Sequence, residues 1–70
     1  MTTNYGNAMR ELRTEKNLSL RDVEIATGIS NQNLSRWERN EVTPSVDACV
    51  TLAKFYGVSI EELLGISPIR

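Results

Sequence analysis

One device occurs three times in this chain and restricts what it can fold into: a serine with an apolar residue immediately before it and a second apolar residue five positions after the first. The pairs are Leu18 with Val23 around Ser19, Ile29 with Leu34 around Ser30, and Val58 with Leu63 around Ser59. A serine there accepts from the free amides of a helix start, and the flanking apolar pair is the spacing of a hydrophobic staple. Ser19 with Asp22 and Ser59 with Glu62 extend the pattern to capping boxes, in which the acidic side chain accepts in return from the cap's own amide. Asn17, Gly28, Asn40 before Thr43-Pro44, and Gly57 each close a stretch whose apolar residues recur with helical rather than alternating spacing. An all-α fold of five short helices follows, with helices expected near Asn4–Lys16, Leu20–Thr27, Asn31–Arg39, Ser45–Tyr56 and Ile60–Leu64.

At 70 residues the chain makes one domain, near the lower size limit for folding on a hydrophobic core alone. Only the ends, residues 1–3 and 67–70, are expected to fray. The inward-facing positions are Met9, Leu12, Leu18, Val23, Ala26, Ile29, Leu34, Trp37, Val46, Cys49, Leu52, Ala53, Tyr56, Val58 and Leu63. Cys49 is the one cysteine and histidine is absent, so an internal disulfide and the usual zinc ligand sets are excluded, and Cys49 itself is expected to be a buried, inert thiol. No long apolar run or basic-then-apolar leader is present, so an intracellular, cytoplasmic protein is expected. No catalytic residues and no cofactor are expected either: there is no nucleophile elbow and no phosphate loop, and Glu61-Glu62 is explained by capping of the last helix and its dipole.

A net charge of −1 provides no overall attraction to nucleic acid, but its distribution is uneven. Residues 1–40 carry Arg10, Arg13, Lys16, Arg21, Arg36 and Arg39 against Glu11, Glu15, Asp22, Glu24 and Glu38; residues 41–70 are acidic. Between the second and third helices stands only Gly28-Ile29-Ser30, a length and composition suited to a helix-turn-helix corner spanning about residues 19–40. Projected at about 100° per residue, the third helix has Leu34 and Trp37 on one side and Gln32, Ser35, Arg36 and Arg39 on the other. Amides, hydroxyls and guanidinium groups match base edges, glutamine or asparagine pairing with adenine and arginine with guanine. Asn31, Gln32 and Asn33 occupy the first turn, the end of a recognition helix that meets the bases. The alternative is a merely solvated face, although such faces usually carry Glu and Lys. Glu38 projects near the Leu34 side, where an unpaired carboxylate is costly; Arg13, one residue past the core position Leu12, is the candidate partner. The alternative there is that both charges reach water separately.

The segments Leu12-Arg13, Leu18-Ser19, Thr27-Gly28-Ile29-Ser30, Leu34-Ser35-Arg36-Trp37-Glu38-Arg39, Pro44-Ser45, Leu52-Ala53-Lys54 and Gly57-Val58-Ser59-Ile60-Glu61-Glu62-Leu63 resemble the lambda-repressor-like, Cro-type (XRE-type) helix-turn-helix family over about residues 5–65. The resemblance implies a five-helix domain that binds double-stranded DNA with its third helix in the major groove. It also implies base contacts from Asn31, Gln32 and Arg36 and an internal Arg13–Glu38 ion pair; Asn33 and Ser35 are expected to support the base contacts, and Arg21, Arg39, Asn40 and Thr43 to contact the DNA backbone. Two departures stand out. Leu20 replaces the glutamine with which many relatives grip phosphate, and Asn40-Glu41 replaces glycine and a basic residue; both point to modest nonspecific affinity. Relatives usually bind palindromic operators as homodimers, and Phe55, Ile60, Ile66 and Ile69 form a candidate dimer patch unless the two last isoleucines fold back onto their own core. The function expected is a transcriptional regulator, a repressor by operator occlusion, since so short a chain leaves no room for a sensor. A protein-interaction module such as an antitoxin or anti-regulator is the alternative.

Overall fold

The computed structural model describes residues 4–66 and folds them into five α-helices: α1 (Tyr5–Glu15), α2 (Leu20–Thr27), α3 (Asn31–Glu38), α4 (Val46–Tyr56) and α5 (Ile60–Leu64). Among the described residues there is no strand. Each helix starts at a side chain that accepts a hydrogen bond from an amide three residues on: Asn4 from Asn7, Ser19 from Asp22, Ser30 from Asn33, Ser45 from Ala48 and Ser59 from Glu62. Both expected capping boxes close, the Ser19 amide donating to Asp22 at 2.9 Å and the Ser59 amide to Glu62 at 3.2 Å. These bonds hold the Asp22 carboxyl below its usual range, the Ser19 backbone amide contributing most. The expected helices overran at the caps: Asn4 and Ser45 are N-caps, and Lys16 and Arg39 are C-caps. Asn17 and Asn40 adopt left-handed backbone at φ of 57° and 60°, ending their helical turns as asparagine can.

The core lies where α1 packs on α3 and α5, α2 on α3 and α4, and α4 on α5. Met9, Leu12, Val23, Leu34, Trp37, Cys49, Leu52, Ala53, Tyr56 and Leu63 are buried as expected, and Ala48 joins them. Leu18, Ile29 and Val58 pack half-buried against that cluster, as the outer members of hydrophobic staples should. Two expected core positions are corrected. Val46 is 77 % exposed because it is the first residue of α4, before Ala48 and Cys49 turn that helix inward. Ala26 is exposed because two-turn α2 presents only Val23 fully to the core. Cys49 is a buried free thiol, and burial pushes its pKa up, as an inert packing residue requires.

Tyr56 makes the core sensitive to alkali. Burial, reinforced by the nearby Glu38 carboxylate, pushes its hydroxyl up to about 12. An unfolded tyrosine ionises near about 10, so above that value the unfolded chain loses its proton first. The stability present below pH about 10 is therefore lost as the pH rises toward about 12. Urea midpoints across this range should fall steeply for the wild type and less steeply for Tyr56→Phe.

Candidate nucleic-acid interface

The corner between α2 and α3 is held by local bonds. Gly28 takes the left-handed φ of 79°, and its amide donates to the Glu24 carbonyl. The Thr27 hydroxyl donates to the Val23 carbonyl at 2.7 Å and accepts from the Ile29 amide at 3.3 Å, while Ile29 packs against the core. Ser30 then caps α3.

From this start α3 buries Leu34, Trp37 and Glu38. Gln32, Asn33 and Arg36 are exposed, and Asn31 and Ser35 are half-buried. The one carboxylate of α3, Glu38, is turned inward and is 6 % exposed, so its outward side carries only amides, a hydroxyl and a guanidinium. The Asn31 Nδ2 donates to Glu24 Oε1 at 2.9 Å, a bond that bridges the turn.

The expected ion pair is present and bidentate. Arg13 Nε donates to Glu38 Oε2 at 2.7 Å and Nη2 to Oε1 at 2.9 Å, while Nη1 donates to the Leu18 carbonyl at 2.8 Å. The hydrogen bonds to Glu38 raise the Arg13 pKa against the opposing effect of burial. The pair ties α1 to the last turn of α3 and, through Leu18, to the entry into α2.

A second tie between α1 and α3 was not expected from the sequence. The Gly6 amide donates to Asn40 Oδ1 at 3.0 Å, Asn40 Nδ2 donates to Asn4 Oδ1 at 3.2 Å, and Arg10 Nη2 donates to the Glu38 carbonyl at 3.3 Å. Gly6 lies so close beneath the C-terminal end of α3 that a Cβ there would come within 2.7 Å of the Trp37 carbonyl oxygen and also against the Glu38 carbonyl. A glycine inside a helical segment was the available signal for this approach. Asn40, expected as a phosphate contact, thus has its amide engaged at both ends.

Of the other expected phosphate contacts, Arg21 is exposed at the start of α2, and Arg39 and Thr43 are exposed around the end of α3. Arg39 Nε lies 3.4 Å from Glu41 Oε2, an exposed pair that engages a cation expected to meet phosphate. Of the candidate dimer patch, Phe55 is half-buried with its ring 5.1 Å from that of Tyr56, while Ile60 and Ile66 are 38 % and 50 % exposed. Ile69 lies outside the described residues. Among the described residues no cluster of acidic, cysteine or histidine side chains could hold a metal, and no helix is long and apolar enough to cross a membrane.

Two helices joined at a tight glycine corner, the second anchored by a buried ion pair and turning base-matching groups outward, define a helix-turn-helix domain of the lambda-repressor-like type. The helix-turn-helix family model matches residues 9–63, and the chain belongs to that family, in its XRE-type branch. It is 41 % identical over 56 residues to the HTH-type transcriptional regulator DdrOP3 of Deinococcus deserti, covering 80 % of this chain and 43 % of the relative. It is 32 % identical over 60 residues to the cryptic phage CTXphi transcriptional repressor RstR of Vibrio cholerae, covering 86 % of this chain and 54 % of the relative. The chain thus spans about half the length of these curated relatives. Among solved structures, the DNA-binding domain of BldD from S. venezulae superimposes with a TM-score of 0.77 at 33 % identity, covering 89 % of this chain and 93 % of that one.

Proposed function

We propose that this domain is a sequence-specific reader of double-stranded DNA in a cytoplasmic transcriptional regulator, and that it represses by occluding its operator with α3 laid in the major groove. The observation that carries the reading is the division of α3. Its apolar and acidic side chains are buried, and Gln32, Asn33 and Arg36 face solvent with the hydrogen-bonding groups that distinguish base pairs. The similarity to RstR, named as a repressor, supports repression. Selection of bound sequences from random duplex DNA tests the reading. The wild type should enrich one motif, and Gln32→Ala and Arg36→Ala should each relax preference at particular bases by about 1–3 kcal/mol. Enrichment of no motif would replace the DNA reading with that of a protein-interaction module, whose binding would lack the steep salt dependence of phosphate contacts.

The operator is a palindrome read by a homodimer, with the two α3 helices about 34 Å apart. Exposed Ile60 and Ile66, with half-buried Phe55, supply apolar surface for the two-fold contact. Light scattering with and without the selected operator should show the dimer; monomer alone in both at high concentration would contradict it.

Glu41 weakens the backbone grip by engaging Arg39 and by its own charge. Glu41→Ala should raise affinity for all duplexes alike and steepen the salt dependence by up to about one phosphate contact. Titrations at several salt concentrations measure both.

A further inference from the structure

The bond between Glu24 and Asn31 fixes more than the turn. Asn31 opens α3, and its Nδ2 is 2.9 Å from Glu24 Oε1 on α2. An unrestrained asparagine amide can flip, offering either its oxygen or its nitrogen to a partner. A carboxylate only accepts, so against Glu24 the nitrogen must face the carboxylate; the flipped amide would set oxygen lone pairs against a negative charge. The oxygen Oδ1 is then the group with no assigned partner among the side-chain bonds of Asn31, and one Nδ2 hydrogen remains beside it.

Building on the DNA-reading role of α3, we propose that Glu24 is a positioning residue for base specificity: it locks the Asn31 amide in one orientation, so that Asn31 demands a base edge carrying a donor next to an acceptor. Adenine, with its N6 amino group and N7, meets that demand, whereas guanine offers only the acceptors O6 and N7. Without the lock the amide turns to donate and guanine becomes tolerable. The carboxylate beside the groove adds to the discrimination, because it leaves no compensating donor for an acceptor-only edge. Glu24 itself need not touch DNA.

The test compares wild type, Glu24→Ala, Glu24→Gln and Asn31→Ala on duplexes built from the selected motif, with each base pair varied in turn and a thermal melt of each protein as the check on folding. Asn31→Ala identifies the base pair read through this side chain. At that pair Glu24→Ala should lose about tenfold of the preference for adenine over guanine, keep its preferences at the pairs assigned to Gln32 and Arg36, and melt close to the wild type. Glu24→Gln, whose amide can donate as well as accept, no longer dictates which way the Asn31 amide faces and should lose part of that preference, less than Glu24→Ala. If Glu24→Ala and Glu24→Gln only tighten binding to every duplex alike, through loss of a negative charge, and leave the preference at that pair intact, the lock is overturned. It is equally overturned if Glu24→Ala discriminates as wild type does, or if Asn31→Ala alters no base preference. A wild type that enriches no motif overturns the DNA-reading role itself, an outcome distinct from those three.

Discussion

Arg13→Ala is expected to lower stability by about 3 kcal/mol, a large fraction of what a small domain has. Arg13 and Glu38 are 15 % and 7 % exposed at the side chain, so removal of the guanidinium strands a carboxylate near Tyr56 with little access to water. The loss extends beyond the pair, because Arg13 Nη1 also satisfies the Leu18 carbonyl at the entry to α2. Arg13→Lys should recover only part of the stability, since a point-charge ammonium cannot reproduce the two parallel bonds and the third to Leu18. Replacement of both partners by apolar side chains of similar volume should be far milder than either single change, because no charge is then left buried. Urea denaturation of the two single variants and the double variant measures all three expectations, and unaltered melting of Arg13→Ala would refute the pairing's contribution.

Gly6→Ala should destabilise by about 3 kcal/mol, the upper end of the range for overpacked sites. On helix propensity alone the sign would be opposite, with alanine favoured by up to about 1 kcal/mol. The contact decides it. The added methyl would press on the carbonyls of Trp37 and Glu38, which are backbone atoms of α3 and cannot rotate away. Either α1 lifts or α3 shifts, and both movements stretch the Gly6–Asn40 bond and the Arg13–Glu38 pair. A midpoint of denaturation equal to or above the wild type's would show that the two helices are not in such close approach.

The two substitutions illustrate what could be read from the residues and what could not. Local chemistry was legible: serine caps, apolar pairs five apart and asparagine or glycine stops are short-range devices, and they placed all five helices. Glu38 was legible too, because helical projection put a carboxylate on an apolar side, where only a cation beside an inward position such as Arg13 after Leu12 can satisfy it. Gly6 was not, since its role arises from α3 crossing α1 at backbone distance, a contact between segments far apart in the chain. Val46 was misplaced for a related reason: its apolar character and its neighbours suggested the core, but a first-turn residue points wherever the cap directs the helix. The candidate DNA-facing residues were identified by their chemistry as a face, while the Glu24–Asn31 bond required knowing how α2 meets α3. Asn40 shows the same limit in reverse, with a residue expected to meet phosphate spending its amide on Gly6 and Asn4.

The low net charge has a functional consequence. On the proposed DNA-reading role, with Arg39 paired to Glu41 and Leu20 unable to hold phosphate, the backbone grip should be weak and discrimination should come from groups on α3 that reach base edges. The most direct measurement of that claim is the binding of wild type and Arg36→Ala to the selected duplex, with its motif guanines replaced by 7-deazaguanine, which removes N7 from the major groove and leaves pairing intact. The wild type should lose about 1–3 kcal/mol at one guanine in each half-site, and Arg36→Ala, already lacking that contact, should lose nothing further there. Undiminished wild-type binding to every 7-deazaguanine duplex, together with loss of binding when inosine removes the guanine amino group from the minor groove, would contradict α3 as a major-groove reader.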